Sequence, residues 1–264
     1  MNRRTAFLVK MVLPALLHGA VSAQSFPDEA VQQAILKGKT LVRQGVIAWD
    51  LERFMEARAL FQRLLATKSH TPLVRYYLGY VDYRINLYYN QSDRKKALAF
   101  LNEAIDHLEQ AIQLDNRFAE AFALLSSCYG QKIGFKPLLS MVLGPKSDRM
   151  MASARSLDPL NPRVILLESI NTYFKPAIFG GSKKKALKGF YRAASAFERY
   201  RPKHRLFPDW GHAEVYAWIG LAHLERKEFQ KARDAFRKAL AIHPEYGWVK
   251  HELLPKLQSL EATH

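Results

Sequence analysis

A single cysteine, Cys128, stands in 264 residues, so the chain alone supplies neither an internal disulfide nor a cysteine-based zinc site. It lies in the apolar run 121–129, the setting of a small core residue rather than of a reactive thiol. Acidic residues are also scarce: 24 Asp and Glu stand against 40 Lys and Arg, for a formal charge of +16. That balance sets the chain against cationic partners, leaving an anionic partner or merely a well-solvated basic surface. Beyond residue 23 no run approaches the ~18 consecutive apolar residues of a membrane span. Catalytic signatures are missing too, with no HExxH pair, no phosphate-binding glycine loop and no GxSxG elbow. The nine histidines are scattered, and no two share a helix face beside a carboxylate at ligand spacing. No enzymatic activity, metal or cofactor is expected on this pattern. What remains is an ordinary globular composition, 48% apolar and 24% charged, which excludes wholesale disorder.

The first residues read as an address. Arg3, Arg4 and Lys10 precede an apolar stretch from Met11 to Ala20, which ends in Val21-Ser22-Ala23. This order predicts a secretory signal peptide over 1–23, cleaved after Ala23. Its removal takes away three cations and no anion, so the mature chain stays strongly basic. The expected location is periplasmic or secreted, which sets nucleic acid aside as the partner of the charge.

Repetition runs through the rest. Near the C-terminus, Tyr216, Ile219 and Gly220 fall in one apolar helical block, and Ala232, Phe236 and Ala239 in a second. The polar turn 225–228 separates them, and Pro244 stops the second, since proline offers no amide proton. Upstream, Gly45, Phe54, Ala57, Phe61 and Leu64 repeat the ladder at the same spacing, and Gly79 follows Gly45 by 34 residues. Ala104, Leu108 and Ala111 resume the pattern after a polar insertion over 88–96. Copies follow at Phe122, Ser126, Met151, Ala154 and Pro159, then at Ile165, Ser169, Ala186, Phe190 and Ala193.

On these residues the chain resembles the tetratricopeptide repeat, a 34-residue helix-turn-helix unit. The resemblance implies an all-α, right-handed superhelical solenoid of about five helix pairs, over 38–71, 72–116, 119–159, 162–198 and 213–246. A capping helix over 246–260 would close the stack, with Pro255 expected to kink or divide it. Three irregular stretches are expected as insertions: 130–146, 176–185 with its Gly180-Gly181 pair, and 199–211.

In stacked helix pairs the first helices line the concave surface, and residues spaced three and four apart project there together. Counting from each small residue places Lys39, Val42 and Trp49 there, then Tyr76, Tyr80 and Tyr83, Arg163 and Tyr173, and Glu214. Trp49, Tyr76, Tyr80, Tyr83 and Tyr173 are the expected anchors of an aromatic groove for a protein or peptide partner. The alternative is that these rings only pack between neighbouring helices. Lys183, Lys184 and Lys185, with the run 94–96, form a candidate patch for an anionic envelope surface. Relatives that clamp acidic C-termini carry Lys and Asn on the inner face, whereas Val42, Val46, Tyr76 and Tyr80 stand here, so that clamp is not expected. The functional reading is an exported, non-enzymatic scaffold. Its alternative is a ligand-handling component of an envelope transport system, for which the Phe179-Gly-Gly turn gives a weak likeness to helical T components. A closed pocket would favour the second and an open groove the first.

Overall fold

A computed structural model describes residues 29–66 and 72–262, and these form helices with no strand among them. The predicted signal peptide lies outside the described residues. Five antiparallel pairs follow one another: α1 (Glu29–Ala48) with α2 (Leu51–Ala66), α3 (Pro72–Tyr89) with α4 (Arg94–Leu114), α5 (Ala119–Phe135) with α6 (Ser140–Leu157), α7 (Pro162–Phe174) with α8 (Lys183–Arg199), and α9 (His212–Leu224) with α10 (Phe229–Ile242). A final helix, α11 (Leu254–Ala262), covers the open end of the stack.

Short polar side chains set the helix starts. Asp93 accepts from the Lys96 amide at 2.9 Å, Asn161 from the Arg163 amide at 3.0 Å, and Ser182 from the Lys185 amide at 3.2 Å. Pro162 then takes the first position of α7, where its missing N–H costs nothing. In the first, second and last pairs a glycine on the first helix receives a large ring or branched chain from the second. A Cβ on Gly220 would lie 2.2 Å from the Phe236 ring, so α9 and α10 approach as closely as they do only because that position carries none. Phe54 fills the same place over Gly45.

Three expectations are corrected by the helices themselves. The stretch 130–146 is not a loop: α5 continues to Phe135, a 3-10 turn covers Pro137–Leu139, and α6 begins at Ser140 with Pro145 inside it. Ser126 and Ser147 bond to each other's backbone carbonyls at 2.8 and 2.9 Å, fastening this part of α6 onto α5. The carbonyl that Pro145 leaves without a helical donor belongs to Met141, which stands exposed to water. The insertion at 88–96 is likewise mostly helix, because α3 and α4 both lengthen and leave only a short turn. Pro255 neither divides nor ends the last helix. One π-turn over Trp248–Leu253 precedes it, and the Leu254 amide reaches back to the Val249 carbonyl. The wider turn absorbs the ring that a regular helix would reject.

The stack curls far enough for its ends to meet. A Cβ on Gly247 would sit 3.0 Å from the carbonyl oxygen of Ile47, at the end of α1.

Candidate functional site

The connection between α8 and α9 does not loop away into solvent. It crosses the concave face. At its start the guanidinium of Arg163 lies 4.4 Å from the centre of the Tyr200 ring, and the same group pairs with Glu120 at 3.2 Å. Leu206 is fully buried, and its carbonyl accepts the Tyr77 hydroxyl at 2.6 Å. Lys39 donates to the carbonyls of Arg205 at 2.6 Å and Phe207 at 2.8 Å, and pairs with Asp209 at 3.2 Å. Trp210 stacks on Tyr80 with 4.7 Å between ring centres, and its Nε1 donates to the Tyr76 hydroxyl at 2.9 Å. Gly211 then takes φ +106°, turning the chain into α9. Below the segment, Arg84 makes a buried bidentate pair with Glu214 and donates to the Tyr80 hydroxyl at 3.0 Å.

The concave face is therefore filled rather than open. Tyr76, Tyr80 and Tyr83 are buried beneath the segment or beside it. Burial raises all three hydroxyls well above their ordinary titration range, so they serve as neutral donors and packing surfaces. Tyr173 is buried against Phe190 and Trp218, with the Lys183 ammonium 5.2 Å over its ring. Trp49 lies apart from the others, half-buried in the α1–α2 turn at φ +56°, where it faces Phe54 and Tyr88. Lys183, Lys184 and Lys185 stand exposed in the first turn of α8, on the edge of the molecule. The predicted inner-face residues Lys39, Tyr76, Tyr80, Arg163 and Glu214 thus converge, but upon the chain's own residues 200–211.

What remains accessible is a cleft of about 220 Å³ where the first and last pairs come together. Val42, Val46 and Ile47 form one wall, with Tyr80, Trp210 and Tyr246 opposite. Lys39, Arg43, His212 and His243 rim it. Arg43 makes no ion pair among the described residues, its nearest polar contact being the Thr40 hydroxyl at 3.5 Å. Burial, reinforced by Arg43 and His212, holds His243 below the usual imidazole range. Burial does the same to His212, against the opposing pull of Glu198. Both rings are thus inclined to be neutral, leaving an aromatic cleft with an unpaired guanidinium at its mouth. Such a cleft suits a small apolar or aromatic group that carries negative charge. The histidines and Arg43 carried no sequence signal, because the cleft joins positions about 200 residues apart.

Acid-base chemistry does not converge on the cleft. The strongly perturbed carboxyl, Asp82, sits in the core between α2 and α4, raised to about 7 by burial and contacted by Arg58 at 2.6 Å. His107 lies 3.7 Å from it, lowered to about 4 by burial and by Arg75 and Arg58. At the cleft, Asp209 and Glu214 are each committed to a cation. No group of three metal-ligating side chains occurs among the described residues.

Comparison with known proteins is consistent with the architecture. Two tetratricopeptide-repeat models match, over residues 42–106 and 213–246. Among solved structures, a haemophore, HusA from Porphyromonas gingivalis, is 22% identical, with a TM-score of 0.61 over 73% of this chain and 92% of that one. A thermophilic tetratricopeptide protein of Thermus thermophilus, TTC0263, is 17% identical, with a TM-score of 0.57 over 84% of this chain and 99% of that one. These likenesses are of fold. Comparison with curated proteins gives no match.

Proposed function

The chain belongs to the tetratricopeptide-repeat family, and on that premise we propose that it is a non-enzymatic binding scaffold acting outside the cytoplasm, which holds a small anionic, apolar or aromatic ligand in the cleft between its first and last repeats. The observation that carries this reading is the unpaired Arg43 at the mouth of a cleft walled by Tyr80, Trp210 and Tyr246. A half-open cleft beside a filled concave face leaves room for a small ligand rather than for a long extended peptide. The likeness in fold to a haemophore points the same way. A second reading, favoured by the protein-binding habit of the repeat family, is that the group entering the cleft is an acidic side chain or terminus of a protein partner.

Titration of the mature chain with haemin and, separately, with a short peptide ending in two glutamates tests both. The readout is tryptophan fluorescence, since Trp210 lines the cleft. Saturable quenching by haemin, lost in Arg43→Ala/His243→Ala, supports the free-ligand reading; the same pattern with the peptide alone supports the second. No saturable response to either probe, or one unchanged in the variant, overturns the cleft as the site.

A further inference from the structure

We propose that the edge of the solenoid carrying the turns within the helix pairs is a docking surface for an anionic lipid bilayer, with the α5–α6 and α7–α8 turns inserting apolar side chains among the headgroups.

The turns form one edge, and contacts between successive pairs establish it. Trp49 in the first turn faces Tyr88 beside the second, with ring centres 5.9 Å apart. Arg94, opening α4, donates to the Phe135 carbonyl at 2.9 Å, at the end of α5. Lys175 at the end of α7 meets Asp148 of α6 at 2.5 Å, and Lys183 at the start of α8 meets Glu225 at the end of α9 at 2.5 Å.

Along this edge, apolar side chains point outward. Leu138 is 96% exposed, Met141 81% and Ile178 85%, with Val142, Phe174 and Phe179 also exposed. Isolated exposed apolar residues are ordinary, but six concentrated on two adjacent turns are a patch that water disfavours. Their placement has a backbone cause. Gly180 adopts φ +90°, and at Gly181 a Cβ would overlap the Lys175 carbonyl oxygen, so this tight turn thrusts Ile178 and Phe179 out ahead of it.

Charge selects the occupant. The acids near the patch are each held by a cation: Asp93 by Lys96, Asp148 by Lys175, Glu225 by Lys183. Lys136, Lys146, Lys184 and Lys185 are exposed on the same two turns as the apolar tips, with Lys95 on the neighbouring α3–α4 turn, and none of the five forms an ion pair among the described residues. Helix stability does not account for lysines in the first turn of α8, because they oppose the helix dipole. Protruding apolar tips beside unpaired lysines match the two attractions of a bilayer interface, apolar insertion and anionic headgroups.

The test is co-sedimentation of the full mature chain with vesicles of phosphatidylcholine alone and of equal parts phosphatidylcholine and phosphatidylglycerol. Binding to the anionic vesicles only, weakening as salt rises, is expected. Leu138→Asp/Ile178→Asp should abolish it, and Lys184→Glu/Lys185→Glu should weaken it by at least about tenfold. All four positions are exposed, so both variants should keep the parent's circular dichroism and its response in the cleft titration. Failure of either vesicle expectation overturns the proposal: no sedimentation with anionic vesicles, or equal sedimentation of parent and variants. A concentration-dependent dimer that the Leu138→Asp/Ile178→Asp change dissolves would also overturn it, assigning the patch to a second copy of the chain.

Discussion

Trp210 lies almost parallel to Tyr80, with 4.7 Å between ring centres and 14° between planes. These residues stand 130 positions apart, and their stack pins residues 200–211 into the concave face of the solenoid. The indole contributes both ring contact and a hydrogen bond to Tyr76. Trp210→Ala should therefore lower stability by about 2–3 kcal/mol, below the cost for a fully buried tryptophan because Trp210 is only half-buried. It should also loosen the segment and uncover the tyrosines, raising the fluorescence of an added apolar dye in the still-folded protein. A variant melting with the parent and binding no more dye would show that the segment is held without the stack.

Periodicity made the helix pairs legible, because Gly45, Gly79 and Gly220 mark close approaches that depend on contacts within one pair. The concave positions were legible for the same reason: Lys39, Tyr76, Tyr80, Arg163 and Glu214 follow from helical spacing. What covers them was not. A segment with Pro202, Pro208 and Trp210 reads as an irregular connection, and local pattern carries no record of a contact with Lys39 across more than 160 residues. The stretch 130–146 misled for the opposite reason, since Gly130, Gly134, Gly144 and Pro145 punctuate a sequence that the Ser126–Ser147 bonds hold helical. Arg43 and His243 sit on different repeats, and only the closing of the stack brings them to one cleft.

Gly220 offers a direct check on the packing of the last pair. A methyl group there would meet the Phe236 ring at 2.2 Å, and Phe236 is fully buried, so the ring must shift within the packed core to admit it. Gly220→Ala should destabilise by about 1–3 kcal/mol despite alanine's higher helix propensity. Adding Phe236→Leu, which removes the ring edge, should cost less than the two single changes summed, since each relieves the other. Thermal melts of the four proteins give the coupling, and strict additivity would mean that the two side chains do not compete for this space.

Arg84 and Glu214 form a buried ion pair, joined by the Tyr80 hydroxyl. Glu214→Ala leaves the guanidinium buried without its counter-charge, which should cost about 3–5 kcal/mol. Arg84→Met/Glu214→Leu removes both charges and should recover most of that loss, as apolar replacement of a buried pair often does. Urea unfolding decides the point: a double variant as unstable as Glu214→Ala would mean that Tyr80 and its neighbours require the charged pair itself.

Asp82 and His107 should oppose each other in the pH dependence of stability. Burial raises the Asp82 carboxyl from 3.8 to about 7, so between those values the folded chain holds a proton that the unfolded chain has released. Stability from Asp82 therefore falls as pH rises through that window. His107 is lowered from 6.5 to about 4, so there the unfolded chain holds the extra proton and stability rises with pH. The two slopes nearly cancel from about pH 4 to 6.5 in the parent. Relative to the parent, His107→Gln should lose stability progressively from pH 4 to 6.5, where the imidazole titrates, and Asp82→Asn should gain it from about pH 4 to 7, where the carboxyl does. His212 and His243, also lowered by burial, contribute equally to all three proteins and drop out of that difference. Denaturant midpoints at pH 4.5, 5.5 and 6.5 measure it; an Asp82→Asn variant that runs parallel to the parent would show that Asp82 stays ionised in the fold, held by Arg58 against its burial, and a parallel His107→Gln variant that the imidazole is not displaced from its ordinary range.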